Sequence, residues 1–389
     1  MSRILKLPAS DGSLSSYNVS GQSLPDFKAD KKTFANARVL LTACHVVADP
    51  LSVNEPSVSA SIDWSATLAY RRYLHNLGLG IAEAMDTAQR GMGLNWPLAL
   101  ELIRHTRTEL PDAVVFNGCG TDQLDPSQAK SLVDVERAYA EQLEAVQSVD
   151  ARVVLMASRA LANLAISADD YLAVYQKVLS MCDKPVILHW LGEMFDPQLA
   201  GYWGSTQSDT AMDTCLAVIK DNASKIDGIK ISLLDKNIEI RMRRLLPDSV
   251  RMYTGDDFNY PELIAGDKQG FSHALLGIFD PLAPLAAQAG RLLDAGDKAG
   301  FHEILDPTVP LARHIFQAPT HCYKTGVVFI AWLNGHQDHF VMIGGAQSQR
   351  SLPHLAELFQ LADKCGLLAD PDVASQRLIT LLERYGVAQ

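Results

Sequence analysis

Along most of the chain, short apolar runs rich in β-branched residues alternate with longer stretches whose apolar positions recur every three or four residues. The short runs predict strands at residues 39–42, 79–84, 113–116, 153–156, 185–188, 227–231, 250–253 and 270–273. The longer stretches between them, such as 64–76, 96–107, 131–147 and 171–181, carry the period of amphipathic helices. Strand alternating with helix calls for a parallel sheet, because parallel neighbours need a crossover connection. The repeated unit fits the α/β class and an eight-fold β/α (TIM) barrel. A doubly wound open sheet would want a glycine-rich phosphate turn after its first strand, and none follows Thr42.

Beyond the last of these strands the pattern turns wholly helical, over 281–295, 299–316, 323–333, 353–364 and 373–385. The chain therefore divides into an N-terminal arm at 1–36, expected to form a hairpin or arm over one barrel end, a barrel at 37–280, and a C-terminal helical region at 281–389 that completes and flanks it. Residues 49–60, rich in Ser and Pro, form a long loop after the first barrel strand, where loops often become lids.

Composition narrows the choice of function. Hydrophobic residues are 48% and charged residues 20% of 389, enough for a large core. A formal net charge of -11 argues against a nucleic-acid partner. The longest apolar stretches, such as 327–333, are far short of membrane-spanning length. The six cysteines stand singly, and residues 1–16 hold no apolar core of a secretion signal, so a cytoplasmic location is expected.

Lys230 is the most informative residue. It lies between isoleucines in the sixth strand, where burial is expected, and lysine is rarely buried without a reason. Desolvation disfavours an ammonium and so frees an amine to attack a carbonyl. The alternatives are a lysine at the strand rim, or one paired with a carboxylate such as Asp257. Around it, Asp227-Gly228-Ile229-Lys230, Arg244-Leu245-Leu246-Pro247, Tyr253-Thr254-Gly255-Asp256-Asp257 and Gly270-Phe271-Ser272-His273 follow in order. This series resembles the dihydrodipicolinate synthase / N-acetylneuraminate lyase superfamily. The resemblance extends loosely to Ser61-Ile62-Asp63-Trp64 and Pro185-Val186-Ile187-Leu188 upstream, and to Arg350-Ser351-Leu352-Pro353 in the tail.

The resemblance implies a class I aldolase, with Lys230 as the Schiff-base lysine, no cofactor beyond that covalent imine, and a homodimer or homotetramer. It also implies substrate binding by Thr87, Asp86, Gly255, Asp257, Ser272 and His273. Departures mark a divergent, longer branch. Where the family has Gly-Thr-Thr-Gly-Glu, whose hydroxyls and amides hold a keto-acid carboxylate, this chain reads Met85-Asp86-Thr87-Ala88-Gln89-Arg90. Thr87 is kept, while Asp86 is placed to repel a carboxylate. The fourth-strand tyrosine that relays a proton is missing from Leu155-Met156-Ala157-Ser158-Arg159. His189, at the end of the fifth strand, is then the candidate relay, since an imidazole works near neutral pH; its alternative is a core histidine bonded to a carbonyl.

Polar residues gather at the expected strand ends, the face on which barrel enzymes build their sites. The reading is a Schiff-base aldolase or lyase acting on a small oxo acid or sugar-derived carbonyl compound, with pyruvate disfavoured. One alternative is a metal-dependent lyase or epimerase, with a divalent ion held by His45, Asp86, His189 and His273. Another is a non-catalytic sugar-acid-binding barrel. The His336-x-x-His339 pair lacks the metalloprotease glutamate and is expected to be a solvated polar loop.

Overall fold

The computed structural model describes residues 3–24, 38–55 and 60–388. A short antiparallel hairpin, β1 (Ile4–Pro8) and β2 (Leu14–Asn18), precedes the barrel. Then come β3 (Leu40–Ala43), β4 (Gly80–Glu83), β5 (Val115–Cys119), β6 (Arg152–Leu155), β7 (Val186–Leu191), β8 (Ile226–Ser232), β9 (Arg251–Thr254) and β10 (His273–Leu276). Each runs parallel to its neighbours, and β10 closes on β3. Strands sheathed by helices outside and packed within are buried on both faces and read as largely apolar, as Leu40, Leu41 and Ala43 of the fully buried β3 do.

The barrel is filled by Leu41, Ala82, Phe116, Val154, Ile187, Tyr253 and Leu275, so its interior is a packed core beneath an open mouth. Outer helices start where the sequence offers caps. Asp63 accepts the Ala66 amide at 3.0 Å, and Asn95 accepts the Leu98 amide at 3.2 Å. Inside this layer Arg71 and Glu83 form a fully buried ion pair at 2.9 Å, with Thr106 donating to the same carboxylate. Glu83, at the end of β4, is thereby a structural group rather than part of the mouth.

The C-terminal helices Lys298–Leu305, Val309–Ile315, Tyr323–Leu333, Leu352–Lys364 and Pro371–Arg384 follow the expected order. Every residue of Tyr323–Leu333 is buried, which explains its nearly unbroken apolar sequence. The hairpin docks on these helices. The Tyr17 hydroxyl and the Ser20 amide donate to the buried Asp363 carboxylate at 2.7 and 2.8 Å. The arm is thus a hairpin whose polar groups find partners on the C-terminal helices. The boundary expected between residues 36 and 37 falls outside the described residues.

The eighth barrel strand is displaced from its expected place. Residues 270–273 were expected as strand, but Asp267 accepts the Gln269 and Gly270 amides at 2.8 and 3.0 Å and holds a turn there. The apolar triplet Ala274-Leu275-Leu276 carries the pairing with β3 instead. This slip of three residues moves Ser272 and His273 to the N-terminal end of the barrel.

Candidate active site at the barrel mouth

Lys230 points into the barrel, on the same face of β8 as Gly228 and Ser232. Its side chain is only 7% exposed. Burial holds its ammonium below the ordinary lysine range, against the opposing pull of the Asp86 and Asp257 carboxylates. Its stem runs past Gly255 on β9's continuation; a Cβ there would lie 2.8 Å from Lys230 Cε and 2.6 Å from the Ile231 carbonyl oxygen. Gly255 therefore makes room for the lysine stem.

Lys230 lines a small pocket with Asp86, Thr87, Asp257, Ser232, Phe195 and Tyr323. Its free volume of about 10 Å³ is close to that of one bound water. Asp86 and Leu191 also line the adjoining cleft, whose volume of about 410 Å³ suits a small metabolite. The walls of that cleft include Arg90, Asp122, Arg159, His189 and Asp196, with Glu55 from the long loop after β3.

Asp257 is buried, and its Oδ1 accepts the Ile278 amide at 2.8 Å. Burial pushes its carboxyl up to about 7, only partly offset by that amide and by Lys230. A carboxyl in that range exchanges a proton near neutral pH. His189, paired across the sheet with Lys230, approaches Ser232 Oγ through Nε2 at 3.2 Å, and its Nδ1 has no partner among the described residues. Burial and the neighbouring Lys230 hold the ring well below the ordinary imidazole range. It is a neutral hydrogen-bonding group on the cleft wall and a poor base.

The structure adds a residue that sequence reasoning missed. Tyr323, at the start of the buried helix Tyr323–Leu333, reaches the small pocket, and its hydroxyl lies 2.9 Å from Thr87 Oγ1. Its ring stacks on Phe316 at 4.4 Å, with Phe195 against its edge. The mouth thus has a tyrosine, but it comes from the C-terminal helices and not from the fourth barrel strand. A tyrosine opening an apolar helix carries no spacing that links it to Thr87, so no local signal marks it.

Other expected residues fall elsewhere. His273 Nδ1 accepts the Val39 amide at 2.9 Å at the far end of the barrel, and burial lowers the ring to about 4. Ser272 donates to the buried Glu239 at 2.6 Å. Neither touches the mouth, because β10 begins later than the sequence suggested. His45 is held by Asp280, through its backbone amide at 2.7 Å and through Nδ1 at 2.8 Å, and lines neither cavity. Of the four suggested metal ligands, Asp86 and His189 share the cleft while His45 and His273 lie apart from it, and among the described residues no three His, Cys, Asp or Glu side chains are placed to hold an ion. His336 packs against Tyr70 and Tyr73 at 4.9 and 4.6 Å instead of standing in solvent. Among the described residues, no helix is long and apolar enough to cross a membrane.

Comparison with known proteins places the chain at family level. The model of a family described as protein of unknown function, DUF993, matches residues 5–387. No curated protein matches the sequence. Solved structures share the fold. Dihydrodipicolinate synthase from Thermotoga maritima is 14% identical with a TM-score of 0.64, covering 85% of this chain and 99% of its own. The 4-hydroxy-tetrahydrodipicolinate synthase of Methylacidiphilum fumariolicum SolV is 15% identical with a TM-score of 0.64, covering 89% and 98%. Dihydrodipicolinate synthase from Aquifex aeolicus, at 13% identity and a TM-score of 0.62, covers 85% and 99%. The fold resemblance expected from the sequence is borne out.

Proposed function

From the premise that the chain belongs to DUF993, a family of proteins of unknown function, we propose that it is a Schiff-base-forming aldolase or lyase acting on a small oxo acid or sugar-derived carbonyl compound. The observation that carries this reading is Lys230: a buried amine at the mouth of a β/α barrel, its proton affinity lowered, beside a cavity of metabolite size.

The neutral Lys230 Nζ adds to the substrate carbonyl, and the resulting carbinolamine loses its hydroxyl as water. Asp257 supplies the proton for that departure, which a carboxyl near 7 can give and regain. The iminium then accepts the electron pair of the bond broken one carbon away. The hydroxyl on the departing fragment gives up its proton as that fragment becomes a carbonyl. The enamine left on Lys230 is protonated at carbon, and water hydrolyses the imine to free the amine. The Tyr323 hydroxyl, oriented by Thr87, is the group beside Lys230 that can hand a proton across this pocket. His189 contributes a fixed, uncharged hydrogen-bonding site on the cleft wall.

Borohydride reduction during incubation with keto acids, keto sugars and hydroxyaldehydes, followed by peptide mass spectrometry, tests the proposal. A reduced adduct is expected on Lys230 and should vanish in Lys230→Arg, whose guanidinium keeps the charge but is not nucleophilic. A folded wild-type protein with no adduct from the whole panel would refute it.

A further inference from the structure

Asp86 stands where the two cavities meet. It opens a single 3-10 turn after β4, lines both the Lys230 pocket and the cleft, and acts electrostatically on Lys230, Lys324 and Tyr323. A substrate entering from the cleft passes this carboxylate on its way to Lys230, so a substituent on its carbonyl carbon can lie alongside Asp86.

Among the described residues, the cations nearest to it are Lys230 and Lys324, and the two guanidiniums of the cleft wall are held, wholly or in part, by other carboxylates. The Arg90 guanidinium is consumed by two bonds to Asp122, both 2.7 Å, and further bonds to Gln142 and to the Ala84 and Gly118 carbonyls. Arg159 is tied through Nε to Asp196 at 2.6 Å. Lys324 donates to the His321 carbonyl at 3.2 Å and lines neither cavity. The cleft wall therefore carries Glu55, Asp86, Asp122, Asp125 and Asp196 against Arg90 and Arg159, an acidic surplus facing the substrate. A carboxylate beside the reacting carbonyl would meet like charge in a partly desolvated place, whereas a hydroxyl or hydroxymethyl group could donate to Asp86.

Resting on the imine reading above, we infer that Asp86 is the specificity-determining residue, and that the site takes uncharged hydroxy-aldehydes or hydroxy-ketones in preference to 2-oxo acids. Asp86 acts here through direct contact with the substituent on the carbonyl carbon, while Lys230 supplies the bond.

The test is borohydride trapping at matched concentrations of dihydroxyacetone and pyruvate, read as the fraction of Lys230 converted in the wild-type protein and in Asp86→Asn. The wild type should trap dihydroxyacetone over pyruvate by about tenfold or more, a ratio corresponding to one modest like-charge contact. In Asp86→Asn the ratio should fall about tenfold, through a gain in pyruvate trapping. The ratio is the readout because loss of Asp86 changes the reactivity of Lys230 toward both compounds alike. Equal trapping of both compounds by the wild type, or a ratio unmoved in Asp86→Asn, would overturn this inference while leaving the imine chemistry standing. Lack of any adduct with any carbonyl compound would overturn the imine reading and this inference with it.

Discussion

Replacing Gly255 by alanine isolates the positioning of Lys230 from its chemistry, since it adds one methyl group and no charge. A Cβ built at this position lies 2.2 Å from Ser232 Oγ, 2.6 Å from the Ile231 carbonyl oxygen and 2.8 Å from Lys230 Cε. The serine hydroxyl can rotate away. The Ile231 oxygen cannot, because it accepts the Gly255 amide at 2.8 Å in the link between β8 and the end of β9. Carbon atoms prefer separations of about 3.5–4.0 Å, so the lysine stem must retreat by roughly 1 Å. Overpacking of this kind costs about 1–3 kcal/mol, which leaves a protein of this size folded. A displacement of about 1 Å at a reacting atom costs about a hundred-fold in rate. Gly255→Ala is therefore expected to lower the borohydride trapping rate at Lys230 by about a hundred-fold, with a modest fall in Tm and unchanged circular dichroism. Gly120→Ala is the matched control, because its Cβ would come no closer than 3.6 Å to Met156 Cβ. Wild-type trapping rates in folded Gly255→Ala would refute the claim that this glycine makes room for the lysine stem.

Two further predictions concern buried charge. Arg71→Met should destabilise the protein by about 3–5 kcal/mol in urea denaturation, because Glu83 is left ionised in a dry site, and Arg71→Met/Glu83→Leu should recover much of that loss; a single-variant cost below about 1 kcal/mol would contradict this. Glu239 is pushed up to about 8 by burial, with Ser272 donating to one oxygen and the other without a partner among the described residues, so the folded protein holds a proton that the unfolded chain, near 4.5, releases. Stability therefore falls as pH rises from the lower value to the upper one, and Glu239→Gln, which mimics the neutral acid, should raise Tm more at pH 8 than at pH 5; an equal rise at both pH values would show that its carboxyl does not titrate in that window.

The alternation of apolar runs and amphipathic stretches determined the architecture, because a strand buried on both faces and a helix buried on one leave different, local signatures. Lys230 was legible for the same reason: a long cation between isoleucines in such a strand contradicts its surroundings. The position of the last strand was not legible. Gly270 to Ser272 looks extended in sequence, yet Asp267 draws Gly270 into a turn and the strand begins only at His273, which stands at the opposite end of the barrel. Equally hidden was the state of each titratable group. His189 within β7 and Asp257 beyond the end of β9 flank β8 from either side, but burial raises the carboxyl to about 7 and disfavours the charged form of the imidazole. The meeting of Tyr323 with Thr87 joins residues 236 positions apart. Local sequence specifies what a segment prefers, whereas desolvation and long-range proximity depend on what the rest of the chain packs against it.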